Sequence, residues 1–201
     1  MKPLPHAPKN FNNLLGTLKL SDKQLQAHFG LYEGYVKKYN EIQEKLATAD
    51  PTGGNYSFNE FSELKRREAV AFNGAFLHES YFENMSGEKS DPSPELMKAF
   101  TTTFGSFDTF LALMKGAASS TPGWVILTWN KVEKRLHPYI MFEHHIGYPV
   151  HQEAILSLDC WEHAFMIDFG TKKADYLTAF FSNVNWPVVN KRFALLTKNL
   201  L

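Results

Sequence analysis

The sequence predicts an α+β fold: an N-terminal helical hairpin, then a mixed region in which a three-stranded antiparallel sheet is surrounded by helices. Three observations carry this. Two long segments, near residues 21–48 and 58–82, repeat apolar residues at intervals of three and four. The run Trp124-Val125-Ile126-Leu127-Thr128-Trp129 is concentrated in β-branched and aromatic residues, and two more strand-like runs follow it. The strands cluster after the helices instead of alternating with them, which separates α+β from α/β.

Residues 1–20 form an extended, proline-bearing arm that ends in a short helical turn around Leu14 and Leu15. Ser21 opens the first helix, with Gln24 three residues later as in a capping box. Its apolar stripe runs Leu25, His28, Phe29, Tyr32, Tyr35, Val36 and Tyr39. Residues 49–57 make a Pro- and Gly-rich loop. The second helix, about Phe58 to Phe82, carries His78 within its apolar part, and Lys65-Arg66-Arg67 form a solvated face. The polar stretch 83–94 divides the chain into an N-terminal helical-hairpin domain, 1–88, and a C-terminal α+β domain, 89–201. Pro94 sits at a first helical turn. Further helices are predicted to Phe104 and from Gly105 to Ala118. Strands follow at 124–129, 136–142 and 155–159, then helices at Glu162–Phe169, Asp175–Phe181 and Val188–Leu201.

Composition narrows the function classes. The chain has 201 residues, 44% hydrophobic and 14% aromatic with 17 Phe, which suits a dense core. Lys and Arg balance Asp and Glu at 21 each, so the basic excess of a nucleic-acid binder is missing. The single Cys160 excludes an intramolecular disulfide and fits a reducing compartment. The N-terminus lacks the apolar core of a signal peptide, and no apolar run is long enough to span a bilayer. The expectation is a soluble, cytoplasmic protein with no nucleic-acid or membrane partner.

Chemistry concentrates in Leu156-Ser157-Leu158-Asp159-Cys160-Trp161-Glu162-His163-Ala164-Phe165. Ionisable groups enter an apolar run only with partners, because an unpaired buried charge costs several kcal/mol or more. Asp159 and His163 are either an internal hydrogen-bonded pair or ligands of a metal, for which carboxylate and imidazole are common donors. His28 and His78, each alone on an apolar helix face, read first as satisfied core histidines, with metal ligation as the alternative.

Taken together, Asp159-Cys160-Trp161-Glu162-His163-Ala164, Asn183-Val184-Asn185-Trp186, Asp175-Tyr176-Leu177, Phe104-Gly105-Ser106 and Gly123-Trp124 resemble, in order, the motifs of the iron/manganese superoxide dismutase family. The resemblance implies four metal ligands, His28, His78, Asp159 and His163, holding one Fe or Mn ion per subunit between the two domains. It implies superoxide as substrate and dismutation to oxygen and hydrogen peroxide as the activity. The alternative is a non-dismutase metal-binding or scaffold protein on the same fold. It further implies Tyr35 as the gateway tyrosine and Trp124 and Trp161 as an aromatic wall. Glu162 would pair with the ligand His163 of the partner subunit in a homodimer.

The chain also departs from the family pattern. The usual H-x-x-x-H-x-x-x-Y lacks its second histidine here, and Tyr35 lies one residue nearer His28. The usual H-A-Y-Y reads His163-Ala164-Phe165-Met166. Gly74 stands where some members place a glutamine beside the metal-bound solvent. His145, with His144 as the alternative, is expected to fill that place.

Overall fold

The structure, a computed structural model, describes residues 2–198. A 3-10 turn at Asn12–Leu14 ends the arm, and α1 spans Asp22–Thr48. The Ser21 hydroxyl caps α1 by accepting from Gln24 N at 3.1 Å. The second half of the expected capping box does not form. Gln24 is fully buried and faces the C-terminal region, while the Asp168 carboxylate accepts from Ser21 N (2.6 Å) and Oγ (2.5 Å). Helix α2, Glu60–Glu83, starts two residues later than its apolar pattern suggests, because the Asn59 side chain provides the cap. The two helices form a hairpin, with Phe29, Tyr32 and Phe82 packed on Phe11 of the arm. Lys65 and Arg66 pair with Glu68 and Glu63 on the solvated face.

Helices α3 (Pro94–Phe104) and α4 (Phe107–Ser119) follow, capped by Ser93 and Ser106. Phe100 and Phe110 stack at 4.2 Å, with Phe107 and Trp186 against Phe100. Each fully buried Phe stabilises the fold by about 1.5–3 kcal/mol.

The sheet has the order β2-β1-β3, all antiparallel, with β1 at Trp124–Asn130, β2 at Arg135–Met141 and β3 at Gln152–Asp159. Every residue of the central β1 is buried, so both faces of that strand are covered. The register sets Trp124 opposite Asp159 across β1 and β3. This alignment brings an indole and a carboxylate together at the end of the sheet nearest the hairpin histidines.

The helix expected over Glu162–Phe169 is in two pieces, a 3-10 turn at Glu162–Ala164 and α5 at Met166–Phe169. Phe165 breaks them at φ −148° and ψ −18°. The backbone groups that a continuous helix would join are taken by Gln24 instead. Helix α6 spans Lys173–Ser182 and α7 spans Trp186–Thr197. The last helix therefore starts at Trp186, with Pro187 in its first turn where a missing N–H costs nothing. Residues 199–201 of its expected span lie outside the described residues.

Candidate metal centre

Four side chains from separate parts of the fold converge. His28 comes from the second turn of α1 and His78 from the last turns of α2. Asp159 ends β3, and His163 lies in the 3-10 turn that follows. One donor atom from each lies within 4.8 Å of the others. His78 Nε2, His163 Nε2 and Asp159 Oδ2 form a nearly equilateral triangle with sides of 3.5, 3.3 and 3.5 Å. The centre of such a triangle is about 2 Å from each corner, the usual length of a metal–nitrogen or metal–oxygen bond. His28 Nε2 is 3.1 Å from Asp159 Oδ2. Two donors at right angles around a centre about 2.1 Å away would be about 3.0 Å apart. The donor set therefore fits a single ion.

The protonation states fit as well. Burial, assisted by the neighbouring His28, pushes the His78 imidazolium down to about 3. Burial also lowers His28, against the opposing pull of Asp159. Burial alone would raise the Asp159 carboxyl, but the neighbouring imidazoles of His163 and His28 outweigh it and hold the group well below the usual carboxylate range. Asp159 Oδ1 accepts from Trp161 N at 2.9 Å, which leaves Oδ2 facing the imidazoles. His78 Nδ1 donates to Gly74 O at 2.5 Å, one helical turn earlier, so Nε2 keeps its lone pair toward the centre. The Asp159 carbonyl accepts from the Tyr176 hydroxyl at 2.7 Å, and Tyr176 is linked to Tyr81 of α2.

Comparison with known proteins is consistent with this geometry. A family model described as iron/manganese superoxide dismutases, C-terminal domain, matches residues 92–192. The chain is 38% identical over 179 residues to a protein named superoxide dismutase [Fe] from Aquifex pyrophilus, covering 87% of this chain and 84% of that one. It is 34% identical to superoxide dismutase [Mn] from Mycolicibacterium paratuberculosis, covering 81% and 79%. The chain belongs to the iron/manganese superoxide dismutase family.

Around the four donors, this superoxide dismutase family member builds a second layer whose details differ from the sequence expectation. His145 is exposed. His144 instead points inward, 3% exposed, and its ring lies 5.9 Å from that of His78. The two residues occupy a tight turn in which Phe142 N donates to Ile146 O at 3.2 Å. Successive turn residues point to different sides, so only one of them can face the centre. Gly147 closes the turn at φ +106°, a conformation that favours glycine. Asn73 of α2 donates to the His144 carbonyl at 2.6 Å and pins the turn.

His144 is held at both nitrogens. Trp124 Nε1 donates to His144 Nδ1 at 3.0 Å, and His144 Nε2 lies 2.7 Å from the Tyr35 hydroxyl. The Tyr35 ring stacks on His78 with centroids 5.4 Å apart and lies flat over Gly74. A Cβ at Gly74 would fall well inside van der Waals distance of that ring. The short residue is thus required by Tyr35, and no side chain from that position can reach the centre. Trp161 stacks on His163 with centroids 6.3 Å apart and also lies against His144, while Trp124 meets His78 edge-on.

At the place of the family's second histidine, Tyr32 is buried and turned toward the arm. Its hydroxyl donates to Glu79 Oε1 at 2.8 Å and accepts from Lys9 N at 2.9 Å. Met166, where the family's tyrosine would stand, is exposed, and so is Glu162. The hydrogen bonds of Gln24 and Asn73, both important to this arrangement, were not legible in the sequence. Each was one polar residue in a helix, and nothing in its spacing marked the long-range partner.

Proposed function

We propose that this protein is a superoxide dismutase in which His28, His78, Asp159 and His163 hold a single Fe or Mn ion. The observation that carries the reading is the donor triangle of His78, Asp159 and His163, with sides of 3.3 to 3.5 Å, completed by His28. When bound, the ion supplies a one-electron redox couple through which one superoxide is oxidised to oxygen and the next is reduced to hydrogen peroxide.

The residues of the chain supply charge, protons and access. Three neutral imidazoles and one carboxylate leave a divalent ion with a net positive charge, which attracts an anion. Reduction of superoxide to hydrogen peroxide consumes two protons. An indole N–H can only donate, so Trp124 makes His144 Nδ1 the acceptor and places the imidazole proton on Nε2. Nε2–H then donates to the Tyr35 oxygen, and the hydroxyl proton of Tyr35 is free for transfer toward the substrate. Tyr35 and His144 are thus the candidate proton-handling pair, with His144 in the role first expected of His145. Among the ligands, His163 has the most exposed side chain, 30% against 0 or 1% for the other three.

Glu162 is exposed next to this partly open ligand, which supports a homodimer in which Glu162 pairs with His163 of the partner subunit. The site draws two ligands from residues 1–88 and two from residues 89–201, which supports reading those segments as two domains with the site between them. No helix among the described residues is long and apolar enough to cross a membrane. Cys160, the chain's single cysteine, is free and buried, which supports a reducing compartment such as the cytoplasm.

Metal content, measured by mass spectrometry together with superoxide consumption after separate iron and manganese loading, tests the reading. The expected result is near-stoichiometric metal with high activity for at least one loading. Stoichiometric metal without dismutation would overturn it in favour of a metal-binding relative with other work.

A further inference from the structure

Gln24 lies one helical turn before His28 on the same face of α1, and its side chain is fully buried. Its amide nitrogen donates to the His163 carbonyl at 2.5 Å, and its amide oxygen accepts from Ile167 N at 3.1 Å. His163 and Ile167 are four residues apart. In a continuous helix the Ile167 N–H would bond directly to the His163 carbonyl. Here one carboxamide is inserted between those two groups, and the helix is broken at the intervening Phe165. The sequence Glu162-His163-Ala164-Phe165-Met166-Ile167-Asp168-Phe169 contains no Gly or Pro to cause the break. The interruption has a tertiary cause, and Gln24 is the side chain that satisfies the groups it frees.

We propose that Gln24 is a positioning residue for the metal centre, holding the 162–169 segment open so that His163 Nε2 stays in register with His78 and Asp159. The inference rests on the metal-centre reading above. The adjoining contact of Asp168 with Ser21 N and Oγ ties the same segment to the start of α1, so the ligand of one element is set by the frame of another. Without the Gln24 amide, the segment can close its own bond from Ile167 N to His163 O, and that closure rotates the His163 backbone away from the triangle.

The test compares Gln24→Met, similar in length but without either hydrogen bond, with Gln24→Glu, which keeps an acceptor for Ile167 N and loses the donor to His163 O. Phe100→Leu, in the α3–α4 core, is the control for a general loss of stability. Manganese(II) affinity is measured by chelator competition, and the electron paramagnetic resonance spectrum of the manganese(II)-loaded protein is recorded. Both Gln24 variants are expected to lose affinity by about 10–100-fold and to show an altered spectrum. Phe100→Leu is expected to keep the wild-type spectrum. Wild-type affinity and spectrum in either Gln24 variant that folds, with only a lower melting temperature, would overturn the inference. A wild-type protein that binds no metal would instead defeat the metal-centre reading itself.

Discussion

Trp124 Nε1 donates to His144 Nδ1 at 3.0 Å, and this one bond decides which nitrogen of His144 faces Tyr35. The donor cannot reverse, so the imidazole is locked in the tautomer that carries its proton on Nε2. Replacing the indole by phenyl keeps an aromatic wall against His78 and removes that lock. Trp124→Phe is expected to lower superoxide consumption by about 10–100-fold while metal content stays near wild type. Because the two residues act in one chain, Trp124→Phe/His144→Ala should be no slower than His144→Ala alone. Superoxide decay on metal-matched samples measures both.

The Tyr35 ring occupies the space above Gly74, which gives that glycine a steric role within α2. Alanine is the better helix former by about 1 kcal/mol. Against the ring, however, an added methyl overpacks the site, at a cost of about 1–3 kcal/mol. Gly74→Ala is therefore expected to destabilise the wild-type protein and to stabilise the Tyr35→Ala variant. Urea unfolding of the four members of the cycle gives the coupling, and a coupling near zero would show that Tyr35 is free to move.

The fold was readable because its elements leave local traces. The four candidate ligands were singled out only by the order of the family motifs, and the structure brings their donor atoms together. His28 and His78 interrupt helical stripes, and Asp159 and His163 interrupt an apolar run. Trp124 through Trp129 read directly as a strand. What failed depended on distant groups. His144 and His145 are adjacent and chemically identical, and only the turn around Gly147 and the bond from Asn73 decide which one faces inward. The break at Phe165 is invisible to propensity because its cause, Gln24, is more than a hundred residues away. Ser21 caps α1 as the local pattern suggests, but the Gln24 side chain that would complete the box is taken by the His163 carbonyl and Ile167 N. In each case a long-range hydrogen bond prevailed over a marginal local one.

Metal binding should contribute to stability, since the four donors meet only in the folded chain. At a free metal concentration about 1,000 times the Kd, linkage adds about 4 kcal/mol. For a chain of this length that raises the melting temperature by roughly 8–16 °C. His78→Ala removes one corner of the donor triangle and should reduce the increment to a small fraction of its wild-type value. Calorimetry with and without chelator checks both statements, and an equal metal-dependent shift in His78→Ala would remove that residue from the ligand set.

Arg192 of α7 joins the end of α2 to β3. Its guanidinium donates to Ser80 Oγ at 3.1 Å, Asn84 Oδ1 at 2.5 Å, the Ile155 carbonyl at 3.3 Å and Glu83 Oε2 at 2.6 Å. Ser80 reaches Ser157 Oγ at 2.8 Å, and Asn84 donates to the Ser157 carbonyl at 3.1 Å. The network thus links the strand that carries Asp159 to the helix that carries His78. Asn84 and Ser157 are fully buried and Arg192 is mostly so, whereas the Glu83 side chain is 35% exposed. The ion pair with Glu83 is screened and contributes little, and the loss on truncation comes mainly from the acceptors left without a donor. Arg192→Met, which keeps the aliphatic stem, is expected to cost about 2 kcal/mol in urea unfolding. Glu83→Gln, which removes only the charge, is expected to cost less than about 1 kcal/mol. Equal losses in the two variants would show that the charge pair, and not the buried acceptors, is what Arg192 holds in place.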